Sequence, residues 1–373
     1  MDNSKIIRKP LNGIPGEVLC ASDYARLAPE YIPPDRLAYI AGGSGHDVTL
    51  DQNRRGFSDH AVVPSTLQYV SDGHTRIQLL NNTFIHPVLL APTAYQTLVH
   101  PEGEAATARA AKATDTCIVA STLSSLSLED IASHAGKARW FQLYLQPQFA
   151  DTAELISRAV NAGYQAIVLT VDAAVQLPSF RAIRAGFRFP DDITAANLSA
   201  QAQAPAVTDT AQSSIFTEYM QNAATLSRIS EVISQSPVPV LIKGILSPDD
   251  AVKVKALGAS GAIVSNHGGR TLDGAPASLS VLPAIRDAVG SHYPLLLDSG
   301  IRSGMDAFKA LALGADAVMV GRLPLYALSV AGALGVAHML KLLREELELT
   351  MAMTGCTTVT DIRNTRLYPV NRR

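Results

Sequence analysis

From position 87 onward, this 373-residue chain repeats one pattern eight times: a short apolar run followed by a longer stretch with helical patterning. The runs are Pro87–Pro92, Cys117–Ala120, Trp140–Leu145, Ala166–Val171, Val238–Ile242, Ala262–Val264, Leu295–Leu297 and Ala317–Val320. Most are continuously apolar rather than alternating, as expected of strands buried on both faces of a parallel sheet. Between them lie Gly103–Ala113, Ser127–His134, Ala150–Ala162, Thr217–Ser234, Pro248–Leu257, Leu279–Val289 and Gly304–Leu313, with apolar residues at helical spacing. A final helical stretch, Ala327–Thr350, follows the eighth run. Eight strand–helix units in succession predict an α/β fold, a closed (β/α)8 TIM barrel.

Residues 1–86 fall outside that count and read as a helical lead-in packed on the barrel, with a hairpin near Ile77–Phe84; 87–373 form the barrel and a C-terminal helical tail. The segment 173–217 is rich in Ala, Gln, Asp and Thr and reads as an insertion loop after the fourth strand. Charged residues make up 17% of the chain, the formal net charge is −2 and no basic block stands out, so no nucleic-acid partner is expected. No apolar run in this reading is long enough to span a bilayer, and Met1–Pro10 lacks the apolar segment of a secretory signal. Cys20, Cys117 and Cys356 have neither disulfide-framework nor zinc spacing. A cytoplasmic enzyme without a metal is the expectation.

In a barrel of this type the C-terminal strand ends face the active site. Here every run ends in polar groups: Thr93; Ser121 and Thr122; Gln142 and Tyr144; Thr170 and Asp172; Lys243; Ser265, Asn266, His267 and Arg270; Asp298; and Gly321 with Arg322. Structure alone does not call for polar groups at all eight tips. Asp298-Ser299-Gly300-Ile301-Arg302-Ser303-Gly304 and Gly321-Arg322 follow the seventh and eighth runs, where this fold commonly holds a phosphate. Lys243 closes a strongly apolar strand and is costly there unless it meets an anion. His267 precedes two glycines and Arg270, with Asp172 the natural carboxylate partner for the imidazole and Arg270 a fork for a substrate carboxylate.

These residues resemble the FMN-dependent α-hydroxy acid oxidase and dehydrogenase family, which includes glycolate oxidase, lactate oxidase and mandelate dehydrogenase. The likeness runs from about Tyr24 to about Ile362 and is most specific at Ser265–Arg270; Leu90–Glu104, Phe141–Tyr144, Thr170–Asp172, Asp298–Gly304, Gly321-Arg322 and Glu348–Cys356 also match. The resemblance implies His267 as the base, Asp172 as its partner, Arg270 as the carboxylate clamp, and Tyr24 and Tyr144 as tyrosines on the substrate. It implies Lys243 beside the flavin N1 and O2. Thr93, Ala94, Ser121, Gln142 and Thr170 would lie around the isoalloxazine, with Asp298, Gly300, Arg302, Gly321 and Arg322 as ribityl and phosphate contacts and Ser265 as a further cofactor-binding residue. The implied reaction oxidises an L-2-hydroxy acid to the 2-oxo acid and passes electrons to dioxygen or another acceptor. Family members are often homotetramers, so a tetramer is expected.

The chain departs from the family at three places. Ser179 stands where relatives carry an active-site arginine, and Arg181 or Arg184 would have to reach in to compensate. Val63-Pro64-Ser65 replaces an Arg-Pro-Arg-like run. At the pocket wall, Tyr95 replaces a smaller or flexible residue, and Leu123 replaces the tryptophan of glycolate oxidases. The loss of bulk at Leu123 leads us to expect a bulky or aromatic 2-hydroxy acid. The missing arginine leaves open an amine, amino acid or peptide-borne substrate, and a catalytically weak flavin-binding protein is a further alternative.

Overall fold

The computed structural model describes residues 6–80, 82–198, 213, 215–220 and 223–370. The lead-in forms three helices, α1 (Asp23–Leu27), α2 (Pro34–Ala41) and α3 (Val48–Ser58). Next comes β1 (His60–Val62), whose antiparallel partner is the last strand, β12 (Leu367–Pro369), so the segment after α3 is tied to the C-terminal strand. The expected hairpin is β2 (Ile77–Leu79) with β3 (Asn82–Phe84).

Eight strands then close a parallel barrel: β4 (Val88–Leu90), β5 (Ile118–Ser121), β6 (Arg139–Leu143), β7 (Ile167–Thr170), β8 (Val240–Ile245), β9 (Gly261–Val264), β10 (Leu295–Leu297) and β11 (Ala317–Val320). Each falls on one of the eight apolar runs, and the cyclic order follows the chain order. The surrounding helices are α4 (Gly103–Ala113), α5 (Leu128–His134), α6 (Phe149–Asn161), α7 (Phe180–Arg184), α8 (Leu226–Gln235), α9 (Pro248–Ala256), α10 (Ser278–Val289), α11 (Gly304–Ala312), α12 (Arg322–Thr354) and α13 (Val359–Ile362). Their starts are chemically marked. Ser127, Thr225 and Ser303 each accept a hydrogen bond from a backbone N–H three residues on, and Pro248 opens α9.

Two expected boundaries move. The helix expected over Thr217–Ser234 starts at Leu226, because Thr225 caps it; a separate π-helical turn covers Ile215–Tyr219. The final helix exceeds the expected Ala327–Thr350 at both ends and is kinked at Ala331 and Gly332, where Gly332 takes φ 56°. By length and hydropathy α12 could cross a membrane, yet 78% of its most apolar window is buried inside the protein, against α4, α11 and α1.

The core explains why only one end of the barrel is open. Leu89, Val119, Val168, Leu241, Ile263, Leu296 and Met319 fill the interior. Phe84 of the hairpin meets Trp140 edge-on at 6.0 Å between ring centroids and plugs the N-terminal end. The polar strand tips gather at the other end. There, residues 173–198 cross beside the lead-in: Gly45 N donates to Pro178 O at 2.9 Å, and Leu177 N to Thr271 O at 3.3 Å. Residues 199–212 and 214 of the expected 173–217 loop lie outside the described residues.

Candidate active site

The β4 to β11 tips surround one cavity, lined by Thr93, Ala94, Tyr95, Ser121, Leu123, Gln142, Tyr144, Thr170, Lys243, His267, Arg270, Asp298, Gly300, Arg302, Gly321 and Arg322. All but three of the expected site residues are on that wall. Asp172 and Ser265 stand one step behind it and Tyr24 is elsewhere.

His267 follows β9 in a left-handed conformation, φ 58°, which is uncommon for a residue with a Cβ. Its Nδ1 lies 3.0 Å from Asp172 Oδ1, and its Nε2 faces Tyr144 Oη at 3.4 Å. With Nδ1–H donating to the carboxylate, Nε2 is left as the proton acceptor. Burial works against the Asp172 carboxylate, but His267 and then Lys243 outweigh it and hold the carboxyl below its ordinary range. Burial, reinforced by Asp172, raises the Tyr144 phenol and keeps it a neutral donor.

Lys243 is the buried cation at the floor. Its Nζ donates to Ser265 Oγ at 3.0 Å and sits 3.4 Å from Asp298 Oδ2. Burial disfavours its charge, yet Asp298 and Asp172 raise its pKa above the ordinary value, so it stays an ammonium. Ser265 Oγ also accepts from His267 N at 3.0 Å. Ser265 therefore meets the cavity through Lys243 and His267 rather than by lining it.

Arg270 Nη1 donates to Tyr39 O at 2.8 Å and Gly42 O at 3.2 Å, and its guanidinium carbon lies 4.7 Å from the Tyr39 ring centroid. These bonds engage one terminal nitrogen and leave other donors of the fork for a ligand carboxylate. On the far side, the Arg302 and Arg322 guanidiniums pair with no carboxylate among the described residues, although the Arg302 backbone N–H donates to Asp306 Oδ2 at 2.9 Å. Arg322 donates only to the backbone oxygens of Ile40, Gly268 and Gly42, at 2.8 to 2.9 Å. Burial and then the nearby Arg270 push it down to about 9, and burial also lowers Arg302. Two such guanidiniums fit an anionic phosphate, whose charge would offset the cost of their burial.

The planar part of the cavity has its own unfilled valences. Ser121 Oγ donates to Gln142 Oε1 at 3.1 Å and so sets the amide, but Gln142 Nε2 and Thr170 Oγ1 are buried without a hydrogen-bond partner among the described residues. Buried polar atoms left open on a cavity wall fit a ligand with a heteroatom edge. This donor set, with Lys243 and the two arginines, fits FMN.

Three expectations are corrected. Tyr24 is fully buried between α1 and α12, with its Oη 3.0 Å from His338 Nδ1, away from the cavity. Tyr39 of α2 lines the cavity instead. The Gly42-Gly43 pair that follows lets this segment pass close to the His267 turn, since a Cβ at Gly43 would lie 2.6 Å from Gly269 O. Arg181 and Arg184 do not reach in. Arg181 pairs with Asp47 at 2.6 Å, Arg184 lies over the Phe180 ring, and neither lines the cavity. Ser179 caps α7 by accepting from Ala182 N. The two wall departures are neighbours, since Tyr95 N donates to Leu123 O at 3.1 Å. Phe187 stacks on Tyr39 at 4.4 Å and Phe189 meets Tyr95 at 4.5 Å, aromatic contacts the sequence did not announce.

The chain's residues 28–369 match the family model for FMN-dependent dehydrogenase. It is 56% identical over 361 residues to an L-lactate oxidase from Alicycliphilus denitrificans, covering 96% of this chain and 99% of that one. It is 40% identical to a 4-hydroxymandelate oxidase from Amycolatopsis orientalis, covering 93% and 98%. Among solved structures, a mandelate oxidase variant with (S)-mandelic acid superposes with a TM-score of 0.87 at 38% identity, covering 95% of this chain and 99% of that one.

Proposed function

The chain belongs to the FMN-dependent dehydrogenase family and is an FMN-dependent 2-hydroxy acid oxidase; on that premise we propose that it oxidises an L-2-hydroxy acid with a short aliphatic side chain, His267 acting as base and Arg270 as carboxylate clamp. One observation carries the assignment of roles: the His267–Asp172 pair and the Arg270 fork open onto the same cavity as Lys243. FMN, when bound, supplies the two-electron acceptor. Arg270 holds the substrate carboxylate and orients C2. Tyr144 and Tyr39 contribute phenols at the cavity wall. His267 Nε2 takes a substrate proton, and Asp172 keeps the imidazole in the required tautomer and stabilises its protonated form. Lys243 favours negative charge at the cofactor edge. Dioxygen is the proposed final acceptor.

The size of the substrate follows from the wall. The bulk lost at Leu123 lies beside the bulk gained at Tyr95, and Phe189 packs against Tyr95. This exchange removes the ground for expecting a bulky substrate and favours a lactate-sized side chain, in keeping with the name of the 56% identical relative. An aromatic side chain is the second reading, and the 40% identical relative favours it. Steady-state kcat/KM for L-lactate, glycolate and (S)-mandelate tests the choice. L-Lactate is expected to exceed (S)-mandelate by roughly tenfold or more, a contrast of the size that pocket volume can supply. A preference for (S)-mandelate would replace the first reading by the second.

A further inference from the structure

The left-handed backbone of His267 needs something to hold it, and the strongest support comes from outside the barrel. Asn53 of α3 and Asn266 are both buried and joined by a reciprocal amide pair: Asn53 Nδ2 donates to Asn266 Oδ1 at 2.8 Å, and Asn266 Nδ2 donates to Asn53 Oδ1 at 2.7 Å. Asn266 Oδ1 also accepts from Gly269 N at 3.0 Å, bridging the turn that contains His267. Asn266 Nδ2 further donates to Pro276 O at 2.9 Å, and its backbone N–H to Ser278 Oγ at 3.2 Å. Every hydrogen-bonding position of the Asn266 amide is thereby used. The turn is also pressed from the same side: Ser44 N donates to Gly269 O at 2.8 Å, and a Cβ at Gly269, φ 74°, would lie 2.7 Å from Leu50 N.

We propose that Asn53 is a positioning residue for the reaction: it fixes the Asn266–Gly269 turn from α3 and so aims His267 Nε2 into the cavity. Among the described residues its side chain hydrogen-bonds to neither His267 nor a lining residue, while its backbone carbonyl abuts Gly300 of the wall. Its effect is to fix the Asn266 amide, which spans the turn, while Asp172 fixes the imidazole from the opposite side. A side chain held from both sides keeps one rotamer, and catalysis is sensitive to displacements of about 1 Å. The proposal rests on the reading of His267 as base. It does not extend to Arg270, which is anchored separately on the Tyr39 and Gly42 carbonyls.

The test uses the FMN-loaded enzyme under anaerobic conditions, with bleaching of the flavin followed by stopped flow for L-lactate and its 2-deuterated form. N53A removes the amide. N53D keeps the shape and the acceptor but loses the donor. Both variants are expected to slow reduction by roughly tenfold or more and to leave the apparent lactate dissociation constant within about threefold. The deuterium isotope effect on kcat should rise toward that on reduction, because the misaimed base makes C–H cleavage more limiting. A merely structural role would lower Tm while leaving the reduction rate and isotope effect as in the wild type; that result overturns the proposal. If N53A does not fold, N53D decides. Failure of both to fold also overturns it, since the pair would then be a folding element. H267Q is the control on the underlying reading. If H267Q bleaches as fast as the wild type, that reading fails and the proposal falls with it; if H267Q is inert and N53D reduces normally, the proposal alone fails.

Discussion

Replacing Asp172 removes one hydrogen bond and one buried charge. Asp172 Oδ1 faces His267 Nδ1 at 3.0 Å, and its Oδ2 has no hydrogen-bond partner among the described residues, so truncation to alanine deletes this bond together with the carboxylate's electrostatic support of Lys243. A hydrogen bond to a charged group is worth about 1.5–3 kcal/mol. At about 1.36 kcal/mol per decade, kcat/KM for L-lactate should fall about 10- to 150-fold in D172A. Asparagine should be worse than alanine. Its amide can donate to Nδ1, which places the imidazole proton on Nε2 and leaves no base facing the cavity. The assay is anaerobic flavin bleaching by L-lactate across a concentration series. A rate for D172A within about threefold of the wild type would refute the reasoning. So would D172N being as active as D172A, because the tautomer argument would then be wrong.

Two further outcomes follow from the geometry. Y24F should leave kcat/KM essentially unchanged, because its hydroxyl bonds to His338, whereas Y39F should lose about 2- to 10-fold, the worth of one neutral hydrogen bond. Equal effects of the two in steady-state kinetics would contradict the exchange of roles. Glu104 gives a pH test: burial raises its pKa despite backbone N–H bonds from Gln96 and Ser125, and its Oε2 lacks a hydrogen-bond partner among the described residues. The folded state then holds the Glu104 proton above the unfolded pKa of about 4.3, so this group's contribution to stability falls as pH rises from there through the raised folded value. E104Q keeps the Oε1 acceptor without that loss. Its stability relative to the wild type, from urea unfolding of the FMN-loaded protein, should increase with pH across that window; a pH-independent difference would show that Glu104 is not the source.

What was legible in the sequence is what lies close together along the chain. The eight apolar runs specify buried parallel strands, because continuous hydrophobicity over a few residues satisfies both faces of a barrel wall. A polar residue at the end of each run is then carried to the barrel mouth by the strand itself, so the cavity residues from Thr93 to Arg322 could be named without coordinates.

Contacts between segments far apart in sequence had no such local marker. Tyr24 and Tyr39 are both lead-in tyrosines, and only the packing of α1 on α12 and of α2 across the mouth separates them. The adjacency of Tyr95 and Leu123, the engagement of Arg181 by Asp47 and the Asn53–Asn266 pair each join residues whose own neighbourhoods carry no sign of the partner. Hydrophobic periodicity determines which elements form and which faces they bury. The side chains that meet across elements are decided by how those elements pack in three dimensions, because a hydrogen bond depends on distance and angle rather than on separation along the chain.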